Sequence, residues 1–402
     1  MKFGGTSVGD TDRIKAIAVH VAAAVATGDQ IAVVVSAMAG QTDDLVGLTR
    51  AAAVAPDARE HDAVVASGEQ VSAALLALAL QDAGVTARSW LGWQLPIRTD
   101  GRHGRARIEH IDTGEIDAGL KRGEVAVVAG FQGVGPGGRV TTLGRGGSDL
   151  TAVALAAALK ADRCDIHTDV SGVFTADPRI VARARRLDKI AFEEMMEMAS
   201  SGAKVLQLRS VEIALNHGVR LRVLSSFGDD PGTLIVAEDE IVEKRVVSAI
   251  ASSRDEARIT LLGLADGVAA AARVFGPLAA ANINVDMIVQ NLAADGQTAN
   301  VTFTVPRSEL VPALTILEAA TPEIDYRSLV HDSAIAKVSA IGVGMRSHAG
   351  VAQQMFAALT DKGIDIEAIS TSEIKISVLI PEEYTELAVL TLHTAYGLDV
   401  ED

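Results

Sequence analysis

Ile31-Ala32-Val33-Val34-Val35-Ser36-Ala37-Met38 opens with five apolar, mostly β-branched residues, shows no polar alternation, and reaches a serine at position 36. A strand with that pattern is buried on both faces, as in parallel sheets covered by helices on either side. Upstream, Arg13 to Ala26 has the apolar spacing of an amphipathic helix. Downstream, Ser67 to Leu80 and Leu150 to Leu159 read as helices and Val125 to Ala129 as a second doubly buried strand. Arg163 to Thr168 and Arg220 to Leu224 are further strand candidates. Helix and strand patterns alternate to about residue 236, which predicts an α/β fold around a largely parallel sheet. The turn Gly228-Asp-Asp-Pro-Gly232 and the charged stretch Glu238 to Arg245 mark its end.

The remaining third contains an internal repeat. Phe275, Leu278, Ile283 and Ile288 recur with identical spacing as Phe356, Leu359, Ile364 and Ile369. A second match, Pro306 to Leu317 against Pro381 to Leu392, follows at a smaller offset, so the second copy has the shorter hairpin. Each copy reads strand, helix, strand, strand, helix, the plan of a ferredoxin-like βαββαβ module. Two copies make a pair of small domains; a solenoid needs at least three repeats.

Of 402 residues 49% are hydrophobic but only 3% aromatic, so the cores are built from Ala, Val, Leu and Ile. The net charge of −16 argues against nucleic acid or an anionic membrane as the main partner. Cys164 is the single cysteine, which excludes a disulfide framework and fits a reducing cytoplasm; it reads as a small buried residue. No signal peptide and no uncharged apolar run long enough for a bilayer is visible.

Several loops carry polar residues suited to anion chemistry. Lys2-Phe3-Gly4-Gly5-Thr6-Ser7 sets a lysine beside glycines whose N–H groups can approach a phosphate, with a helix start following. Ser36 ends a buried strand, at the edge where open α/β sheets bind ligands, and Thr42 is close enough to reach the same mouth. Glu69 in Ser67-Gly68-Glu69 reads either as a partner of the helix dipole or as a grip for a substrate ammonium group. Leu143-Gly144-Arg145-Gly146-Gly147-Ser148-Asp149 joins a guanidinium, glycine N–H groups and a helix start, which suits a carboxylate or phosphate. In Thr168-Asp169 and Phe174-Thr175-Ala176-Asp177-Pro178-Arg179, acidic, hydroxyl and basic groups share a loop. Lys204, by itself, reads as a solvated helix lysine. Gly133-Val-Gly135-Pro-Gly-Gly138 matches a dinucleotide fingerprint but leads into Arg139-Val-Thr-Thr142 rather than a helix, so that reading fails. Arg183 to Arg186 reads as a solvated basic face, and the histidines show no metal-ligand spacing.

Together these motifs resemble the aspartate kinases, the branch of the amino-acid kinases that carries tandem ACT domains. The resemblance spans the whole chain and includes Ala129-Gly130-Phe131-Gln132-Gly133 and Gly202-Ala203-Lys204-Val205-Leu206. It implies a three-layer αβα kinase domain over 1–236, a linker and strand over 237–257 joining the second ACT module, and ACT domains over 258–333 and 334–402. The implied reaction is ATP- and Mg²⁺-dependent phosphorylation of the L-aspartate side-chain carboxylate, the entry to lysine, threonine and methionine biosynthesis. By the same match, Lys2 and Asp169 are catalytic, and Thr42, Glu69, Arg145, Gly146, Gly147 and Ser148 hold aspartate. ATP falls to Lys2, Phe3, Gly4, Gly5, Ser36, Thr168, Asp169, Phe174 to Arg179 and Lys204. Asp266, Ala269, Gln290 and Asn291 fall to an effector, lysine or threonine, in a cytoplasmic homodimer or higher homo-oligomer. The alternatives are a sibling kinase with another substrate, or an amino-acid sensor on a kinase scaffold. Three departures stand out. Only Met1 precedes Lys2, where family members carry several strand residues, so a central part of the sheet is expected to be missing. Phe174 replaces a tyrosine, and Asp266-Gly267-Val268-Ala269 lacks the family's Pro-Gly turn, which implies weakened feedback.

Overall fold

The structure, a computed structural model, describes residues 1–203, 205–241, 245–265, 267–292 and 298–400. Its contacts divide the chain into two units. The first comprises Met1–Val173, Arg186–Ala199 and Lys204–Val242; the second comprises Phe174–Arg185, Ser200–Ala203 and Glu243–Asp402.

An eight-stranded sheet organises the first unit, in the order Lys189–Ala191, Thr233–Val236, Leu221–Ser225, Cys164–Thr168, Lys2–Phe3, Ala32–Val35, Val125–Ala129, Ala87–Trp90. Neighbours run parallel except Leu221–Ser225 against Thr233–Val236. Alternate strand residues Phe3, Val33, Val35, Val127 and Ala129 face one core with Ile14 and Val21 of helix Thr11–Ala26 and Leu76 and Leu80 of helix Ser67–Asp82. Helix Gly147–Leu159 packs against Ala32–Val35 and Cys164–Thr168 as well, giving the three layers that doubly buried strands require. Asp10 caps the first helix by accepting the Arg13 N–H at 2.8 Å, which satisfies one of its orphan donors.

The expected gap in the sheet is filled only in part. Lys2 pairs with Val34 and Ile166, and Phe3 with Val35 and His167, so the centre holds a two-residue strand between the longer strands Ala32–Val35 and Cys164–Thr168. The Met1 nitrogen donates to the Ala32 carbonyl at 2.8 Å, continuing the contact one residue upstream of Lys2. Ala58–Asp82 is helical throughout except for the junction at Ala66, and by length and composition alone it could cross a membrane. It instead buries Asp62, Glu69, Leu76 and Leu80 within the unit. A four-stranded sheet, Ile108–Ile111, Ile97–Thr99, Gln132–Val134, Val140–Thr142, completes the unit. Its last two strands form the antiparallel hairpin that contains Gly133 to Gly138, so no dinucleotide turn exists there. The basic run is not a solvated face throughout. Arg185 Nε donates to the Leu398 carbonyl at 3.0 Å, and Arg186 donates to the Gly232 carbonyl.

The second unit is built on a six-stranded antiparallel sheet ordered Asp286–Leu292, Thr298–Val305, Ala249–Ala265, Ser328–Ile341, Lys375–Pro381, Ala368–Thr371. Two strands serve both repeats. Residues 258–262 pair with 328–332 in the first half of the sheet, and 249–253 with 337–341 in the second, with bulges between. Each half has its own core: Leu278, Ile283 and Phe303 in one, and Leu359, Ile364 and Val378 in the other.

Candidate active site

All central strands of the first sheet run parallel, so their carboxyl ends open along one edge. Backbone hydrogen bonds stitch that edge together. Gly4 N–H donates to His167 O at 3.2 Å, Ser36 N–H to Phe3 O at 3.1 Å, Gly130 N–H to Val35 O at 3.0 Å, and Ser226 N–H to Thr168 O at 2.8 Å. The residues that follow the strands, widely separated in sequence, thereby form one continuous rim. Gly5 is required there, because a Cβ would lie 3.0 Å from the Ala37 carbonyl.

Lys2 is buried, and its Nζ lies 2.7 Å from Asp149 Oδ1 and within 3.4 Å of where a Gly4 Cβ would stand. Asp149 sits in the first turn of helix Gly147–Leu159, where a negative charge also meets the helix dipole. The ammonium group is thus held over the glycine turn by a carboxylate from the opposite layer. On the other face of the strand, His167 stacks on Phe3 with ring centroids 4.5 Å apart, and burial pushes its pKa down to about 4. The imidazole is neutral near pH 7.

Glu69 is 3% exposed in the first turn of helix Ser67–Asp82. Its Oε1 accepts the Ala37 N–H at 3.1 Å, whereas Oε2 is buried without a hydrogen bond to any other described residue. Burial, only partly offset by the Ala37 N–H, raises its pKa to about 7. Thr42 is half-buried in helix Gln41–Ala52, just past the Ser36 to Gly40 turn. Arg145 is exposed on the Leu143 to Gly147 turn, and Gly147 and buried Ser148 open the following helix. Ser148 packs so close to Gly130 that a Cβ on Gly130 would lie 2.7 Å from its Oγ. Phe131 has φ 68, a conformation that a bulky residue rarely adopts, and its N–H is held by Thr151 Oγ1 at 3.1 Å.

Other expected residues fall elsewhere. Thr168 and exposed Asp169 end the strand beside Lys2, their side chains 3.2 Å apart. The side chains of Thr175 and Ala176, in contrast, are buried. Thr175 is fully buried with its hydroxyl 2.9 Å from His393 Nε2, and Ala176 joins the core around Met355 and Leu392. Their side chains are committed to the second unit, which leaves Phe174, Asp177, Pro178 and Arg179 accessible. Asp177 and Arg179 pair at 2.7 Å, and that contact holds the Asp177 pKa down. Gln290 and Asn291 lie exposed on strand Asp286–Leu292. Lys204 and Asp266 are outside the described residues, and Ala269 falls within helix Gly267–Ala280.

Sequence reading missed Asp149 as part of this arrangement. A first-turn aspartate is commonplace on helices, and only the Lys2 contact distinguishes Asp149. No cluster of three or more His, Cys, Asp or Glu side chains able to hold a metal occurs among the described residues.

Residues 1–225 match the model of the amino acid kinase family, and 259–320 and 338–396 match the ACT domain. The aspartokinase of Pseudomonas aeruginosa is 56% identical over 400 residues, covering 99% of this chain and 97% of that one. The aspartokinase of Corynebacterium glutamicum is 47% identical, covering 100% and 96%. Among solved structures, E. coli aspartokinase III in complex with aspartate and ADP has a TM-score of 0.84 at 30% identity, covering 98% of each chain. The same enzyme in complex with lysine and aspartate has a TM-score of 0.74 over the same share. With its strand edge, its ion-paired lysine and its paired ferredoxin-like modules, the chain belongs to the amino acid kinase family and, within it, to the aspartokinases.

Proposed function

We propose that this aspartate kinase works through the rim just described, transferring the γ-phosphoryl group of ATP to the side-chain carboxylate of L-aspartate. A carboxylate oxygen forms the new P–O bond as the bond to the ADP oxygen breaks. The attacking group is already ionised at neutral pH, so no general base is needed, and the work is positioning and charge neutralisation. The observation that carries this reading is the buried Lys2–Asp149 pair over the Gly4–Gly5 turn. It holds a fixed cation where a phosphoryl group can approach backbone N–H groups. Magnesium would enter with ATP as part of the substrate and neutralise phosphate charge, and Thr168 and Asp169 would be the groups to orient it.

The substrate side is assigned by chemistry. Glu69, with one buried oxygen free of hydrogen bonds to other residues, suits the α-ammonium group. Arg145 suits the α-carboxylate, with Thr42 and Gly146 to Ser148 lining the same mouth. Phe174, Asp177, Pro178 and Arg179, with Lys204, take the nucleotide. The paired ACT modules take an amino-acid effector; lysine is one candidate, since it is bound to E. coli aspartokinase III, and threonine is another. Asp266, Ala269, Gln290 and Asn291 would contribute. Homo-oligomers formed through these modules, in the cytoplasm, complete the proposal. The test is ADP release driven by aspartate, with glutamate as the control. Lys2→Met should cut kcat by about a hundredfold or more while changing the ATP KM far less, because the charge acts chiefly in the transition state. Equal turnover of glutamate, or an unaltered kcat in Lys2→Met, would refute the assignment.

A further inference from the structure

Asp62, on helix Ala58–Val65, is fully buried. A buried carboxylate destabilises a protein unless its oxygens are satisfied, and an apolar residue is often the more stable choice. Asp62 is satisfied by two loops. Its Oδ2 accepts the Gly104 N–H at 3.1 Å and the Thr142 N–H at 3.0 Å and lies 2.8 Å from His103 Nδ1. Its Oδ1 accepts the Thr142 hydroxyl at 2.7 Å.

Thr142 ends its strand, and Leu143-Gly144-Arg145 follows immediately. The far side of this junction is tied as well. Arg209 donates to the Leu143 carbonyl at 3.1 Å and to the Ala106 carbonyl at 3.2 Å, and the Ala106 N–H donates to Thr142 O at 2.9 Å. Gly144 has φ +81, and a Cβ there would lie 3.0 Å from the Gly104 carbonyl, so the loop rests directly on the segment that Asp62 clamps. Arg145 itself is exposed on a long, flexible side chain. Where its guanidinium works is therefore decided by where its backbone is held.

We propose that Asp62 is a positioning residue for aspartate binding, fixing the Arg145 loop through Thr142 and His103-Gly104. The proposal rests on the assignment of Arg145 to the substrate α-carboxylate. Four contacts converge on one carboxylate, and every partner lies in the strand or the loop at the base of Arg145. That concentration specifies loop geometry, where mere stability would be served by an apolar side chain.

The experiment compares Asp62→Ala, Asp62→Asn and Arg145→Gln by steady-state kinetics in both substrates, with thermal melting of each. Asp62→Ala should raise the aspartate KM about tenfold or more while the ATP KM stays within about twofold, as expected when a binding group is misplaced rather than deleted. Asp62→Asn should recover much of that loss, because its amide oxygen can serve the N–H donors and its amide nitrogen can donate to Thr142. Should Asp62→Ala fail to fold, Thr142→Val decides: it removes only the Oδ1 contact and should raise the aspartate KM a few-fold. Unchanged aspartate KM in the folded Asp62 or Thr142 variant, or equal increases for both substrates, overturns the positioning role. If Arg145→Gln leaves the aspartate KM unaltered, the assignment of Arg145 fails instead, and the proposal with it.

Discussion

Burial of Glu69 opposes its charge, whereas its proposed role at the substrate ammonium group needs that charge. Its pKa of about 7 lies above the ordinary 4.5 because burial disfavours the charged form. In the unfolded chain the carboxyl ionises above 4.5; in the folded protein it holds its proton to about 7. Below 4.5 both states are protonated and burial carries no ionisation penalty. Between these values stability falls as pH rises, and above 7 the penalty is complete, on the order of 3 kcal/mol. Glu69→Gln should therefore melt at a higher temperature than the parent above pH 7 and at the same temperature near pH 4. The same variant should lose aspartate turnover, since a charge-assisted contact of about 1.5–3 kcal/mol is gone. In the parent, kcat/KM for aspartate should climb as pH rises through about 7, as the ionised carboxylate becomes available for the substrate ammonium group. A melting difference independent of pH would contradict the buried-carboxyl account. Cys164 tells a simpler story: it is buried, and burial pushes its thiol up to about 11, so it is a packing residue and not a nucleophile.

At the scale of elements, the ferredoxin-like halves meet along two strands that bend. Where Ala249–Ala265 shifts register around Glu256, Lys337 of the adjacent strand is buried, with Nζ 2.9 Å from Glu256 and 2.7 Å from Asp286. Burial opposes its charge, but the two carboxylates outweigh that and hold its pKa up. Removing one member of a buried ion group leaves the others uncompensated. Lys337→Met should accordingly destabilise the protein by about 3–5 kcal/mol, and Lys337→Met with Glu256→Gln by less. Denaturant melts of both variants check this; additive losses would mean that the groups do not interact. The repeat at this scale was only partly a core signature. Leu278, Leu359, Ile283 and Ile364 are buried as the spacing implies, yet Ile288 and Ile369 are 52% and 43% exposed on their strands. A helix face must bury its apolar residues, whereas a strand has a second face that the repeat cannot assign.

At the scale of the molecule, the chain leaves the first unit after Val173 and re-enters it at Arg186. The intervening segment, which opens with residues proposed to hold the nucleotide, is fastened inside the second unit. The Ile250 N–H donates to Thr175 O at 2.8 Å, His393 meets the Thr175 hydroxyl, and Val181 shares a core with Leu398. His393→Leu would remove one of the two hydrogen bonds of that hydroxyl, leaving the Arg185 N–H that it accepts at 3.0 Å, a cost of about 0.5–1.5 kcal/mol. It should raise the ATP KM severalfold with less effect on the aspartate KM; equal effects on both would show that the segment does not serve the nucleotide. Local chemistry made much of this protein legible beforehand. β-Branched runs announced a parallel sheet, and the repeat announced two small modules. These signals are short-range, because burial period and turn geometry depend on neighbouring residues. Register across the sheet is not short-range. It was the pairing of Lys2 and Phe3 with both neighbours that placed this two-residue strand at the centre of the sheet, and long-range packing that turned Thr175 and Ala176 inward. Likewise, Asp149 found Lys2 and Asp62 gathered His103, Gly104 and Thr142 only in the folded chain. Each partner is an ordinary residue in its own segment, and its role exists only as a distance to another one.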